Sequence, residues 1–268
     1  MASTKVAAVA LPDLSHLSSA DYERVYEPSD DTFLLVDALS ADVAELLRRR
    51  PALCVEIGSG SGCVITHLGR LLPDAALLAG DVNRHANRAT AATGAANARR
   101  VVPVQMDLLS ALRPGIVDVL VFNPPYVPTS TEELVEAVAT ADISAAWAGG
   151  PRGRLVLDRL LPALGPALSP SGLFYLLGVA ENEPSEIASL LREQAGLESV
   201  VIAERRAQNE RLFVMRCRRG GATEAPPSPR RDRSGELLAT AAESIAREDA
   251  AGEVQVLLHR WDDASSAH

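Results

Sequence analysis

An α/β fold built on a mostly parallel sheet, with helices on both faces, is what this chain predicts, and three observations predict it. Strand-like apolar runs alternate with stretches of helical periodicity from Leu53 onward, at the pitch of repeated strand–helix–strand units. Four of the runs end in a glycine turn or a polar residue: Gly58, Asp81, Asp107 and Asn123. In sheets of this kind ligands sit beyond the carboxyl ends of the strands. Finally, 268 residues with 47% hydrophobic content suit one large domain with a modest appendage.

The elements follow in order. Ser29-Asp30-Asp31-Thr32 reads as a helix start, with Ser29 as N-cap and two acids facing the positive end of the helix dipole. Leu35, Leu39, Val43 and Leu46 carry that helix to about Arg49. Leu53–Ile57 is a buried strand, Gly58–Gly62 a glycine turn and Cys63–Leu72 a helix. Ala76–Gly80 is the second strand, ending at Asp81, and Arg84–Ala98 the next helix. Val101–Met106, ending at Asp107, is the third strand; its Pro103 lacks an N–H and so assigns it to a sheet edge. Val117–Phe122 is the fourth strand, ending at Asn123. Arg154–Leu168 suits a helix, Leu173–Val179 a strand and Glu183–Ala195 a helix, with final strands near Val200–Ala203 and Leu212–Arg216.

Composition changes near Arg218. We expect a catalytic-type domain over residues 1–217, a Pro/Gly/Arg-rich linker over 218–235 and a C-terminal extension over 236–268, with a helix at Glu236–Arg247 and a short apolar element at Val254–Leu258. Residues 218–268 hold 7 basic and 9 acidic side chains, so the extension is no basic nucleic-acid arm. There is no internal repeat.

The net charge is −9 with a pI near 5.1, which gives no global positive field and disfavours a nucleic-acid substrate. Cys54, Cys63 and Cys217 form no CxxC pair and have no histidines at ligand spacing, which suggests reduced thiols, no metal site and a cytoplasmic or nuclear protein. The first residues, MASTKVAAVALPDLSHL, hold one lysine and a broken apolar run, and no stretch approaches the roughly 18 apolar residues of a membrane span, so a soluble, untargeted chain is expected.

Val55-Glu56-Ile57-Gly58-Ser59-Gly60-Ser61-Gly62 sets three glycines at alternate positions between a strand and a helix, where a ligand can approach main-chain N–H groups. A dinucleotide fingerprint needs glycine where Cys63 stands, and a P-loop needs a Gly-Lys-Ser/Thr that is missing. Asp81 is placed to accept both hydroxyls of a ribose, and Asp107 to accept from the exocyclic amine of an adenine. Glu56 is placed to order the glycine loop or to meet an amino group. A glycine turn and two acids brought to one rim suit S-adenosylmethionine.

The fourth strand brings Asn123-Pro124-Pro125-Tyr126 to the same rim. A planar NH2 group is a poor nucleophile because its lone pair is delocalised. The side-chain carbonyl of Asn123 and the backbone carbonyl of Pro124 can accept both of its hydrogens while nitrogen pyramidalises toward a methyl donor. The two prolines stiffen the turn and carry no competing N–H, and Tyr126 offers a ring to stack on a flat amide or base. This chemistry alone does not separate an amide from an adenine N6 or cytosine N4.

YEPSDDTFLLVDAL, VEIGSGSGCV, DVN, MDLL, LVFNPPYVP and AAWAGGPRGRLVLDRLLP, within residues 20–217, resemble the eukaryotic branch of the HemK-like protein glutamine methyltransferases, which modify class-one peptide release factors. The resemblance implies a class I S-adenosylmethionine-dependent methyltransferase fold, Rossmann-like, with a seven-stranded sheet whose last strand is antiparallel. It implies methyl transfer to the side-chain amide nitrogen of the glutamine in a Gly-Gly-Gln tripeptide of the release factor. It places Thr32, Glu56, Gly58, Asp81, Asp107, Leu108 and Asn123 on cofactor-contacting positions, beside Gly60 and Gly62 of the glycine turn, and has Asn123 also grip the target amide. It implies a heterodimer with a small zinc-binding activator subunit, whose surface would cover Val101, Val102 and Val104 unless these valines serve the core; some members also methylate a histone lysine. The roughly 50 residues before the first strand match the short form of the family, and the tail from 218 has no counterpart in it. The alternative is a nucleic-acid methyltransferase using the same Asn-Pro-Pro-Tyr chemistry; a scaffold without activity is opposed by the intact Asn123 and Asp81.

Overall fold

The computed structural model describes residues 9–130, 132–133, 146–207, 210–220 and 259–260. Its strands are β1 (Leu53–Ile57), β2 (Ala76–Asp81), β3 (Val101–Gln105), β4 (Val117–Phe122), β5 (Leu168–Val179), β6 (Leu197–Ala207), β7 (Glu210–Arg219) and β8 (His259–Arg260). The helices are α1 (Ser19–Tyr22), α2 (Asp30–Ala41), α3 (Val43–Arg49), α4 (Cys63–Leu71), α5 (Arg84–Ala96), α6 (Leu155–Ala167) and α7 (Pro184–Ala195). One sheet runs in the order β3-β2-β1-β4-β5-β7-β6-β8, with β7 antiparallel to both of its neighbours. The pairs β1–β2, β1–β4, β2–β3 and β4–β5 are parallel. The expected seven strands are all present with the last antiparallel; the two-residue β8 adds an eighth at the β6 edge.

Alternate residues of the central strands face opposite layers, as the pleat requires. Val119 and Val121 of β4 and Leu173, Tyr175 and Leu177 of β5 pack with Leu34, Leu35 and Leu39 of α2 and Ile65 and Leu68 of α4. Leu120 and Phe122, with Phe174 and Leu176, pack against Leu157, Leu160, Leu161 and Leu164 of α6 and Ile187 and Leu191 of α7. Both faces are therefore buried, which explains why β1 and β4 read as nearly continuous apolar runs, broken only by Glu56 and Asp118.

Four expectations need correction. The first long helix breaks at Asp42 into α2 and α3. Asp42 accepts from the Tyr175 hydroxyl at 2.6 Å and the Arg216 guanidinium at 2.7 Å, so a core ion pair sits at the break where a continuous helix was expected. Ser29 occupies the N-cap position with extended backbone, but its side chain makes no capping bond. β5 begins at Leu168 rather than Leu173, because Ser169–Gly172 form a bulge opposite Val117–Val119 instead of a turn. β6 and β7 are a long antiparallel pair; the charged Glu198, Glu204, Arg205 and Arg206 interrupt the apolar pattern without ending the strands. β3 takes the edge that Pro103 predicts, with Val102 45% exposed, Val101 buried and Val104 half-buried. The expected linker 218–235 and extension 236–268, including the helix at 236–247 and the apolar element at 254–258, lie outside the described residues except at 218–220 and 259–260.

Candidate active site

A cavity of about 960 Å³ opens at the carboxyl ends of β1, β2 and β4, large enough for a nucleoside-sized ligand. One wall is the turn from β1 into α4, where Gly58, Gly60 and Gly62 all have positive φ. Gly62 is favoured for a second reason: a Cβ there would lie 2.7 Å from the Thr90 Cα, so the missing side chain lets α5 close on the turn. Beneath the turn Glu56 is 2% exposed and accepts from the Ile65 N–H at 2.9 Å, satisfying a first-turn donor of α4. Burial pushes its carboxyl well above the ordinary range.

Asp81 closes the next wall. Its Oδ2 accepts from Gly60 N at 3.1 Å and its Oδ1 from Asn83 N at 2.8 Å. A carboxylate oxygen has two lone-pair sites, so each retains one for a diol. Burial raises this carboxyl too, against the two backbone bonds that lower it. Asp107 follows β3 at the same rim, half-exposed, with Oδ2 held by the Arg159 guanidinium. Leu108 beside it has φ +51, an uncommon conformation for a branched side chain, and also lines the cavity.

The floor is the end of β4. Asn123 donates from Nδ2 to Asp31 Oδ2 at 2.9 Å, and the Tyr126 hydroxyl donates to the same oxygen at 3.4 Å. The other oxygen of Asp31 accepts from Thr32 N at 2.6 Å. A carboxylate accepts only, so this partner fixes which way the Asn123 amide faces. The NH2 must turn to Asp31, and Oδ1 is left buried without a partner, in a residue that lines the cavity. An orphaned buried acceptor costs about 1–3 kcal/mol, which makes it a group built to receive a donor from a ligand. Tyr126 is 8% exposed, and burial followed by the neighbouring Asp31 raises its hydroxyl well above ordinary, so it stays a donor.

The chain leaving the Asn-Pro-Pro-Tyr turn is gripped by residues 147–150. Val127 N donates to Trp147 O at 3.0 Å, Gly149 N to Val127 O at 2.8 Å and Thr129 N to Gly150 O at 3.1 Å, a short parallel ladder. Trp147, 41% exposed, stands at the cavity mouth.

The residues expected from sequence thus converge on one cavity: Thr32, Glu56, Gly58, Gly60, Asp81, Asp107, Leu108, Asn123, Pro124, Pro125 and Tyr126 all line it, while Gly62 supports it from behind. Two do more than their spacing predicts: Tyr126 is an anchor for Asp31 as well as a ring in the wall, and Asp107 shares its charge with Arg159. Asp31, which the sequence pattern assigns to the helix dipole, belongs to the site as well. The signal lies in the sequence, since Asp31 stands one helical turn before Leu35 and two before Leu39 on the buried stripe, a place where a solvated acid does not belong. Among the described residues no group of three or more His, Cys, Asp or Glu is placed to hold a metal ion, and the three cysteines are buried free thiols.

Comparison with known proteins bears on the fold and the family. The model of the "Methyltransferase small domain" family matches residues 30–157. The chain is 42% identical over 211 residues to the human protein "Methyltransferase HEMK2", covering 77% of this chain and 95% of that one. It is 36% identical over 230 residues to the "eRF1 methyltransferase catalytic subunit mtq2" of Schizosaccharomyces pombe, covering 80% and 98%. Among solved structures it resembles the E. cuniculi Mtq2-Trm112 complex, described as responsible for methylation of the eRF1 translation termination factor, with 28% identity, a TM-score of 0.56 and coverage of 74% of this chain and 99% of that one.

Proposed function

Because this chain belongs to the methyltransferase family of HEMK2 and Mtq2, we propose that it binds S-adenosylmethionine and methylates the side-chain amide nitrogen of the glutamine in the Gly-Gly-Gln tripeptide of a class-one release factor of the eRF1 kind. The observation that carries the reading is the Asn123 amide, turned by Asp31 so that its carbonyl lies unpartnered in a residue of the cavity wall.

The residues fit the cofactor. Asp81 has lone pairs for a ribose diol, the buried carboxyl of Glu56 offers an acceptor oxygen to an amino group, and the open oxygen of Asp107 suits an exocyclic amine. When bound, S-adenosylmethionine supplies an electrophilic methyl group. What the chain contributes is a pair of acceptors, Asn123 Oδ1 and Pro124 O, for the two hydrogens of the target amide. Both bonds strengthen as positive charge develops on nitrogen, and preorganised acceptors of this kind contribute to rate rather than to ground-state binding. The cavity holds Asn123 in one orientation before the substrate arrives, so little reorganisation is left for the reaction.

Two further parts of the reading rest on the same kinship. A small zinc-binding activator would cover the β3 edge, where Val102 is 45% exposed and Pro103 offers no donor to a further strand. The net charge of −9 favours a protein loop over nucleic acid as substrate. The deciding experiment incubates the activator-bound protein and labelled cofactor in parallel with a release factor, its Gln→Asn variant, a histone peptide and duplex DNA. Label in the intact release factor and not in its variant supports the reading; label in DNA that fades steeply with salt replaces it with base methylation.

A further inference from the structure

We propose that Asn182, which lies 56 residues beyond the Asn-Pro-Pro-Tyr turn in sequence, is a positioning residue that fixes this turn in its transferring geometry and ties it to the segment at the cavity mouth. The inference rests on the role given to Asn123 and Pro124 under Proposed function.

Asn182 ends the single 3-10 turn Ala180–Asn182 that follows β5, and its side chain is 2% exposed. Its Nδ2 donates to Tyr126 O at 2.8 Å and to Arg152 O at 2.9 Å, and its Oδ1 accepts from Val179 N at 2.8 Å. One amide therefore joins three separate pieces of chain: the rigid end of β5, the turn that carries the acceptors and the mouth segment. Both donors are spent on backbone carbonyls, an arrangement that no other side chain of similar size reproduces. Aspartate has no donors, and leucine would bury the two carbonyls unpaired.

The packing around it leaves no slack. A Cβ on Gly153 would fall 1.8 Å from Tyr126 O and 2.6 Å from Asn182 Nδ2, and one on Gly149 would fall 2.5 Å from Pro125 O. Gly149 and Gly153 thus lie close against the turn that Asn182 also holds. The segment is secured in its turn by Arg152 and Arg154, both paired with Glu186 at the start of α7, and Arg154 reaches Asn182 O at 3.4 Å. The Arg154 partner, with help from Arg152, holds the Glu186 carboxyl down to about 2, so this tie stays charged across the physiological range. The consequence for chemistry is directional. With the Tyr126 carbonyl occupied by Asn182, the turn that carries the Pro124 carbonyl, the second acceptor proposed above, is held in place.

The test compares wild type with Asn182→Asp, in complex with the activator and with a release factor as substrate. The readouts are kcat, KM, cofactor Kd by calorimetry and amide hydrogen exchange at Tyr126, Val127 and Thr129 and at the non-proline residues of 147–153. We expect kcat to fall about 10- to 100-fold, the size of an ångström-scale misplacement, with cofactor Kd within about twofold of wild type and faster exchange in both segments. If Asn182→Asp does not fold, Asn182→Ser, which keeps one donor for two carbonyls, is expected to show the same kcat loss in smaller measure. A folded variant with wild-type kcat, or with unchanged exchange, overturns the proposal. A purely structural role would instead lower the melting temperature and cofactor affinity while sparing kcat. If wild type itself fails to label the release factor, the functional reading falls, and the exchange measurement still decides whether Asn182 clamps the turn.

Discussion

Asp31→Asn changes one atom at the site and should reverse the polarity of the acceptor. In the wild type, Asp31 Oδ2 receives Asn123 Nδ2 at 2.9 Å while Oδ1 receives Thr32 N at 2.6 Å. A hydrogen bond to a charged group is worth about 1.5–3 kcal/mol, a preference of roughly 10- to 150-fold for the productive amide orientation. An asparagine at position 31 has one carbonyl for two donors. If it keeps Thr32 N, its own NH2 faces Asn123, whose amide then flips and turns an NH2 toward the substrate where an acceptor is required. Losing one preorganised partner of the transition state costs about 10²–10³ in kcat, about 2.7–4 kcal/mol. We therefore expect Asp31→Asn to lower kcat by roughly that factor with cofactor affinity unchanged. Because both residues serve one acceptor, adding Asn123→Ala should cost little beyond either single change. Single-turnover methylation of a release factor, with calorimetric cofactor binding as control, measures all three variants. A kcat within threefold of wild type for Asp31→Asn, or additive losses in the double variant, would refute the orientation argument.

Three further outcomes follow from the geometry. Burial raises the Asp81 carboxyl, and its charged form is the one that accepts a diol; cofactor affinity should therefore fall with decreasing pH from a point above the ordinary carboxylate value, and Asp81→Asn should abolish that limb of a binding-against-pH curve. Gly62→Ala places a Cβ 2.7 Å from the Thr90 Cα at φ +77, and should lower unfolding stability by about 2 kcal/mol or more in a denaturant titration. Val102→Glu puts a charge on an exposed site of the β3 edge, and should reduce co-purification with the activator while the cofactor Kd of the purified chain stays unchanged.

What the sequence discloses follows the physics that sets each feature. β1 and β4 are legible to the residue because strands buried on both faces are mostly apolar, with Glu56 and Asp118 the exceptions, and a glycine turn or Asn-Pro-Pro stops them sharply. β6 and β7 are not, because Glu204, Arg205 and Arg206 interrupt the apolar run while the backbone ladder continues through them. The break of α2 at Asp42 is hidden for a related reason: the carboxylate's partners, Tyr175 and Arg216, lie more than a hundred residues away, and no local pattern announces them.

The site divides along the same line. Short-range constraints, such as glycines that must take positive φ and prolines that carry no N–H, are written locally and are found from spacing alone. Long-range ones are not. Asn123 shows which acceptor the chain provides, but only Asp31, 92 residues earlier, fixes which end of the amide faces the cavity. An asparagine read without that partner has two orientations, one accepting and one donating, and they favour opposite substrates. The catalytic property is thus carried by the pair, and a substitution at Asp31 that leaves Asn-Pro-Pro-Tyr untouched should silence the motif as fully as a change within it.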